Sequence, residues 1–393
     1  MQYSIKGFKD KAVEKTGLTD FGSDYYEESL GCWIEDLEDG RLSDTGKSFL
    51  TGQMIADLSR RLRVLDYLKK NPEINDVVIP PILYISGLER TGTTFLHNLL
   101  TLDQNARAFL RWELMMPVPA PEAQTYLTDP RIQATQSAVD RLRGTKLEQM
   151  HWIEANDPEE CYWSLLNGFG VLGGSVHSIM PRFISTVTSE TIERALREYR
   201  QVVKILLWKN PLPKDGYLVL KAPQFCAFLP ELAKVLPESK VVLMHRAPYR
   251  AIVSVCNLVT HIVEPFMPAK EINKTMSTVA EVFLARAANG LKSMLSFDKS
   301  DATVANVAYP KLVSNPVEVV RDIYRTHEIE IPAELDAKIE SYILDQKAGK
   351  RAKPPSNYSD FGIDADILHS KPTTAAYCKH FGVEVEITRE TGA

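Results

Sequence analysis

The chain has 393 residues, of which 44% are apolar, and it carries a formal net charge of −5. This length and composition suffice for a large hydrophobic core, and the small negative charge argues against a basic nucleic-acid-binding surface. No apolar run approaches the roughly 20 residues that span a bilayer, and the first residues lack the apolar segment of a secretory signal. The five cysteines are odd in number, far apart and without a C-x-x-C pair, which favours reduced thiols in a cytoplasmic protein.

The N-terminal part of the chain has the pattern of packed helices. Apolar residues recur at spacings of three and four between Ile55 and Leu68, as on a buried helix face. A second long amphipathic helix is predicted from Glu190 to Trp208. The predicted organisation is a helical annex packed on the core over residues 1–76 and a main domain over residues 77–393 that carries a helical insert at about 129–210.

A glycine loop follows the annex. The residues from Gly87 to Thr94, GLERTGTT, follow an apolar run typical of a strand and precede a run typical of a helix. In that setting, loop amides and the helix N-terminus converge on an anion. The spacing is that of a P-loop, but Thr93 stands where the usual lysine would be, and the cation of the loop is Arg90. We therefore expect a nucleotide-phosphate site that does not use ordinary ATP or GTP chemistry.

Two more strand-to-helix units follow. An apolar run ends at Lys221, and a second ends at His245 and Arg246. Alternating short strands and helices predict an α/β, P-loop-like, three-layer fold with a central parallel sheet flanked by helices. The helical annex and the mid-chain insert would be additions to it.

Ligands of such a sheet bind beyond the carboxyl ends of the strands. The glycine loop, Lys221 and Arg246 would all lie there, and their charges suit a polyanion. A magnesium-dependent nucleotide triphosphatase would instead need a loop lysine and an acidic residue at a neighbouring strand end. We therefore expect no bound metal.

Several segments together resemble a known family. They are the loop Gly87–Thr94, the segment Leu220–Gln224, the segment His245-Arg246-x-Pro248 with Ser254 after it, the segment Val307–Pro316, and the segment Asn357–Gly362. In this order they resemble the signature blocks of sulfotransferases, which use 3′-phosphoadenosine 5′-phosphosulfate (PAPS) as the sulfuryl donor. The resemblance extends weakly from about residue 16 to residue 382 and is closest to the bacterial-type and small-molecule branch.

The resemblance implies a role for each part of the donor site. The loop would hold the 5′-phosphosulfate, and Arg90 would stabilise charge on the bridging oxygen. Arg246 and Ser254 would bind the 3′-phosphate, for which arginine supplies a planar fork of donors. Phe95 would stack on adenine, and a basic segment near residue 350 would close over the 3′-phosphate. The implied donor-binding residues are Gly87, Arg90, Thr91, Gly92, Thr93, Thr94, Phe95, Arg246, Ser254, Lys350 and Arg351.

The acceptor hydroxyl needs a general base. Glu113 is the first candidate, because the protein-tyrosine branch has a catalytic glutamate at nearly the same distance after the loop cation. His151 is the second candidate, and Lys221 would stabilise the developing charge. Glu113 has a structural alternative as the ion-pair partner of an arginine such as Arg111. Glu159 and Glu160 are expected at a solvated helix start.

The predicted reaction is transfer of a sulfuryl group from PAPS to a hydroxyl of a small or lipid-like acceptor, which leaves adenosine 3′,5′-bisphosphate. No nucleic acid, membrane span or metal is expected. Two alternatives stay open: a non-catalytic protein that binds a 3′-phosphoadenosine nucleotide, and a P-loop kinase. The sequence leaves open the acceptor, because variable loops build acceptor pockets, and the oligomeric state, with a homodimer as one alternative.

Overall fold

The computed structural model describes residues 3–145, 148, 152–165, 179–300, 303–348 and 361–384. This part of the chain contains a parallel sheet of five strands in the order β2-β3-β1-β4-β5. The strands are β1 Ile82–Gly87, β2 Ala106–Arg107, β3 Tyr217–Lys221, β4 Ser239–His245 and β5 Val304–Ala308. Helices flank the sheet, which confirms the predicted α/β fold.

The α-helices of these ranges are numbered in chain order. They are α1 Ile5–Thr16, α2 Glu27–Glu38, α3 Asp44–Lys70, α4 Thr93–Leu100, α5 Arg111–Met115, α6 Pro130–Val139, α7 Tyr162–Leu165, α8 Pro181–Ser185, α9 Ser189–Trp208, α10 Leu229–Val235, α11 Pro248–Val263, α12 Ile272–Asp298, α13 Tyr309–Ser314, α14 Pro316–Thr326, α15 Leu335–Ala348, α16 Ala365–Ser370 and α17 Pro372–Phe381.

The central strands are buried on both faces. Every residue of β1 and of β3 is buried, as expected for parallel strands covered by helices on both sides. Neighbouring residues of β1 contribute to different cores, since side chains alternate along a strand. Tyr84 belongs to the core that also holds the N-terminal helices and α9, whereas Leu83 and Ile85 belong to the core under α4, α14 and α15. These two cores define the three layers.

The sheet register brings the predicted site residues to one edge. Ile85 of β1 is level with Lys221, the last residue of β3, and Gly87 is level with Met244 of β4. The loop after β1, the Lys221 side chain and Arg246 after β4 therefore all start from the carboxyl edge. The three strand ends that carry the predicted site residues thus lie at one edge of the sheet.

The N-terminal helices pack on the sheet through polar as well as apolar contacts. Leu58 and Leu62 of α3 are buried, as the spacing predicted. Arg61 of α3 is also buried, and its guanidinium contacts both carboxylate oxygens of Glu198 on α9 at 2.8 and 2.7 Å. The position of the boundary after residue 76 stays a prediction. None of the described helices is both long and apolar enough to cross a membrane.

Candidate active site

The glycine loop is a tightly packed turn. Gly87, Arg90 and Gly92 all have positive φ angles, of 146°, 67° and 91°. A Cβ atom on Gly87 would lie 2.6 Å from the Met244 carbonyl oxygen, which is backbone and cannot swing away. Arg90 adopts the left-handed region at a cost of roughly 1 kcal/mol. The loop therefore needs glycine at its first position, and it holds the non-glycine residue Arg90 in the left-handed region.

A hydrogen bond within the loop closes it just before the helix that follows. The Thr91 hydroxyl donates to the Leu88 carbonyl at 2.7 Å. Helix α4 begins at Thr93, directly after Gly92. The free amides of its first turn are therefore next to the loop, which is the arrangement that binds an anion.

Two arginines meet beside this loop. Arg90 Nε donates to Ser254 Oγ at 3.2 Å, and Arg246 Nη1 donates to the Arg90 carbonyl at 2.7 Å. The Arg246 guanidinium lies over the Tyr309 ring, 4.5 Å from its centroid. The same ring packs against Gly92, where an added Cβ would come within 2.8 Å of it. The structure thus brings Arg90, Arg246 and Ser254 together and adds Tyr309.

Tyr309 lies in the segment Val307–Pro316, which the resemblance includes without giving Tyr309 a role. Its position in the sequence could have indicated a place at the site. Tyr309 is the first residue after β5, so it lies at the same edge of the sheet as Arg246 after β4. The strand that places it, β5, pairs with β4 along its length, with Ala308 level with His245.

Lys221 is buried at the end of β3 and links the loop helix to a carboxylate. Its Nζ donates to Glu160 Oε1 at 2.9 Å and to Thr94 Oγ1 at 3.4 Å. Gln224 Nε2 donates to the other Glu160 oxygen at 3.1 Å. Thr94 lies in the first turn of α4, so this cluster adjoins the glycine loop.

The segment before α7 brings Glu160 to Lys221. The Glu159 amide donates to the Phe109 carbonyl at 3.1 Å, and the Cys161 amide donates to the Lys221 carbonyl at 2.9 Å. The expected solvated helix start is wrong here. Glu159 is buried and forms an ion pair with Arg111. Chain spacing gave no sign that this segment runs beside β3.

Glu113, the first candidate for the base, is enclosed by donors. Its carboxylate accepts hydrogen bonds from Arg107 Nη2 at 2.8 Å, from the Leu110 amide at 2.8 Å and from the Tyr126 hydroxyl at 2.7 Å. Burial and the Glu113 charge raise the pKa of Tyr126, which therefore stays a donor. Glu113 itself is 0% exposed. These contacts favour the structural alternative, with Arg107 rather than Arg111 as the ionic partner, and argue against a role as base.

Phe95 points toward the core under α4. Its ring stacks on Tyr342 of α15, with centroids 6.5 Å apart. Its role toward adenine stays a prediction. His151, Lys350 and Arg351 lie outside the described residues, as does the segment from Asn357 to Asp360.

Two buried histidines near the site are uncharged. Burial, with the nearby Lys221 charge, lowers the pKa of His97 to about 3. Its Nε2 donates to the Val219 carbonyl at 3.0 Å. Burial lowers the pKa of His245 to about 4, and its two nitrogens contact Tyr377 and Asn306. Burial therefore favours the neutral form of both histidines at pH 7.

In the ranges that the structure covers, no group of three or more His, Cys, Asp or Glu side chains is arranged to hold a metal ion. Metal independence of the site stays a prediction.

Known proteins share this architecture. Residues 81–333 match the model of the sulfotransferase family. Over 98% of both chains the structure resembles the crystal structure of sulfotransferase STF9 from Mycobacterium avium, with 23% identity and a TM-score of 0.86. It also resembles sulfotransferase STF1 from Mycobacterium tuberculosis H37Rv over 95% of this chain and 99% of that one, with 21% identity and a TM-score of 0.78. A search of curated proteins finds no match. Because the family model covers more than half of the sequence, the chain belongs to the sulfotransferase family.

Proposed function

We propose that this enzyme transfers a sulfuryl group from PAPS to a hydroxyl of a small or lipid-like acceptor and releases adenosine 3′,5′-bisphosphate. The observation that carries the proposal is the meeting of Arg90, Lys221 and Arg246 at one edge of the sheet, beside a glycine loop without the P-loop lysine. Three cations at that edge suit a donor with a phosphosulfate at one end and a second phosphate at the other.

The donor would lie along the carboxyl edge. Loop amides and the hydroxyls of Thr93 and Thr94 would hold its phosphosulfate. Arg246 and Ser254 would bind its 3′-phosphate, at the end where Arg246 stacks on Tyr309. The Gly87 and Gly92 positions fit this role, because close contacts with Met244 and Tyr309 leave no room for a Cβ there and both residues have positive φ angles.

The transfer would be in line. The acceptor oxygen forms a bond to sulfur while the bond from sulfur to the 5′-phosphate oxygen breaks, and the electron pair leaves on that oxygen. Lys221 and Arg90 would stabilise this charge, and a carboxylate would accept the acceptor proton. By analogy with phosphoryl transfer, positioning and electrostatic stabilisation would supply most of the catalysis.

The acceptor class rests on the composition of the mid-chain insert, which is rich in apolar and aromatic residues. A cytoplasmic location is part of the proposal and agrees with five cysteines that are all free. The homodimer stays an alternative to the monomer and can be decided by light scattering.

Calorimetry tests the donor. The protein is titrated with adenosine 3′,5′-bisphosphate and with ATP, each with and without magnesium. We expect the bisphosphate to bind without magnesium and more tightly than ATP, which has no 3′-phosphate. Preference for ATP with magnesium would favour the kinase alternative. Bisphosphate binding without sulfuryl transfer to any acceptor or to water would favour the non-catalytic alternative.

A further inference from the structure

We infer that Glu160, rather than Glu113, accepts the proton of the acceptor hydroxyl. The inference rests on the proposed function and names the carboxylate that this function requires. It starts from the contact between Glu160 and Lys221 at the end of β3.

A single side chain, that of Lys221, connects Glu160 to the helix that follows the glycine loop. The Lys221 ammonium contacts both Glu160 and Thr94, at 2.9 Å from the carboxylate and 3.4 Å from the hydroxyl. Thr94 belongs to the first turn of α4, where the transferred group would be bound. A carboxylate that shares the Lys221 ammonium with Thr94 therefore adjoins the place where an acceptor oxygen would approach sulfur.

Glu160 also has room to accept a proton. A carboxylate offers about four lone-pair sites in total. Among the described residues, Lys221 donates to one oxygen and Gln224 donates to the other. One lone pair on each oxygen thus stays available to a hydroxyl. The side chain is 16% exposed, so an acceptor can reach it, whereas the Glu113 side chain is 0% exposed.

Two other carboxylates nearby are paired with arginines. Glu159 pairs with Arg111, and Glu89 in the glycine loop accepts from Arg286 Nη2 at 2.6 Å. Arginine keeps its charge and its planar fork in proteins, so both pairs are fixed contacts. The partner of Glu160 is a lysine, whose single ammonium can follow the charge that develops on the leaving group.

The proton balance of the step is simple. The acceptor oxygen–sulfur bond forms, the sulfur–phosphate oxygen bond breaks, and the acceptor proton moves to Glu160. Gln224 is a positioning residue, because its Nε2 holds the carboxylate at 3.1 Å while Lys221 turns toward the leaving oxygen. Glu160 releases the proton to solvent after the sulfated product leaves.

The test uses Glu160→Gln, which keeps the size of the side chain and can still accept from Lys221. Transfer from PAPS is measured with phenols of graded acidity, from unsubstituted phenol to a dinitrophenol, and with water as the acceptor in PAPS hydrolysis. We expect turnover with phenol and with water to fall roughly 100- to 10,000-fold. The loss should shrink steadily toward the most acidic phenol, which is already ionised and needs no base.

Glu159→Gln is the matched control, since it alters the adjacent carboxylate and its ion pair with Arg111. It should lower thermal stability without changing how turnover depends on phenol acidity. Glu160→Asp, which keeps the carboxylate one methylene further back, should regain part of the lost turnover.

Two results would overturn the inference. One is turnover of Glu160→Gln within about threefold of the wild-type value with phenol and with water. The other is a loss of equal size for every acceptor, which would mark a positioning role. Failure of the wild-type protein to bind adenosine 3′,5′-bisphosphate would instead contradict the proposed function, so the two failures are distinguishable.

Discussion

Arg246 is fixed by the protein from two sides. It donates to the Arg90 carbonyl and stacks on Tyr309, so little side-chain freedom remains to be lost when an anion binds. A lysine at this position would keep the charge but lose the fork and the stacking. The expected role of Arg246 therefore depends on its shape as well as its charge.

Arg246→Lys should weaken binding of adenosine 3′,5′-bisphosphate by roughly 10- to 100-fold, the range expected for the loss of a charge-assisted hydrogen bond. Calorimetry measures the change. Arg325→Lys, on the exposed side of α14, is the control and should bind as the wild type does. Equal affinities of the Arg246→Lys and wild-type proteins would contradict the assignment.

The buried histidines make stability depend on pH. His97 has a pKa of about 3 in the folded chain against an ordinary 6.5, so the unfolded chain binds an extra proton below pH 6.5. The stabilisation that results from the lowered pKa of His97 is fully present above pH 6.5. As the pH falls below 6.5, this residue lowers the free energy of unfolding by about 1.4 kcal/mol per pH unit. His245 acts in the same direction. Burial raises the pKa of Asp57 from its ordinary 3.8 to about 6. Between pH 6 and pH 3.8, Asp57 therefore makes the folded chain more stable as the pH falls, which opposes the effect of the two histidines.

The variant His97→Gln isolates one of these contributions. Urea unfolding of the variant and of the wild type should give a stability difference that changes by about 1.4 kcal/mol per pH unit between pH 6.5 and pH 4, with the wild type losing more. A difference that does not change with pH would show that His97 titrates normally in the fold.

At the scale of elements, the strand-end loops were predictable and the contacts between distant segments were not. The glycine loop, Lys221 and Arg246 each follow a strand directly, so local pattern was enough to place them at one edge. Glu160 lies 61 residues before Lys221 in the chain, and only the pairing of its segment with Phe109 and Lys221 brings the two together. Glu113 was chosen by its distance along the chain, which does not report that three donors enclose it.

Gly87→Ala tests the packing of the loop against β4. The added Cβ would lie 2.6 Å from the Met244 carbonyl oxygen, and the alanine would have to adopt a positive φ. We expect the free energy of unfolding to fall by about 2–4 kcal/mol, from backbone strain and overpacking together.

Gly17→Ala is the matched control, measured in the same denaturant titration. Gly17 also has a positive φ, of 70°, but no atom within 4 Å of an added Cβ. The free energy of unfolding of this variant should fall by only about 1 kcal/mol. Equal losses in the two variants would show that the Met244 contact contributes nothing.

For the whole molecule, the N-terminal helices and the sheet share one core. Leu30 and Leu58 belong to the same cluster as Tyr84 of β1, and the Arg61 pair with Glu198 joins α3 to α9. Helix α3 also reaches the segment after Glu160, because Arg60 Nη1 donates to the Trp163 carbonyl at 3.2 Å. The annex and the core should therefore unfold together.

Arg61→Ala should lower the free energy of unfolding by about 3 kcal/mol, because it breaks a partly buried ion pair and removes the donor to the Phe21 and Ser23 carbonyls. Far-ultraviolet circular dichroism and the bisphosphate affinity should change at the same denaturant concentration. Lys69→Ala, in an exposed pair with Asp20, is the control and should change stability by less than about 1 kcal/mol. Two separate transitions in Arg61→Ala would show that the annex is an independent unit.

Lys221 lies at the end of β3, between the two sides of the sheet that supply the predicted site residues. Arg246 and Tyr309 come from the β4 and β5 side of the sheet, whereas Glu160 arrives from the β2 side, through the pairing of its segment with Phe109. The residues proposed to bind the donor and the proposed base therefore come from opposite sides of the sheet, and Lys221 contacts the base. Under the proposed function, substitutions on the Glu160 side can suit a new alcohol while the residues proposed to bind PAPS stay unchanged.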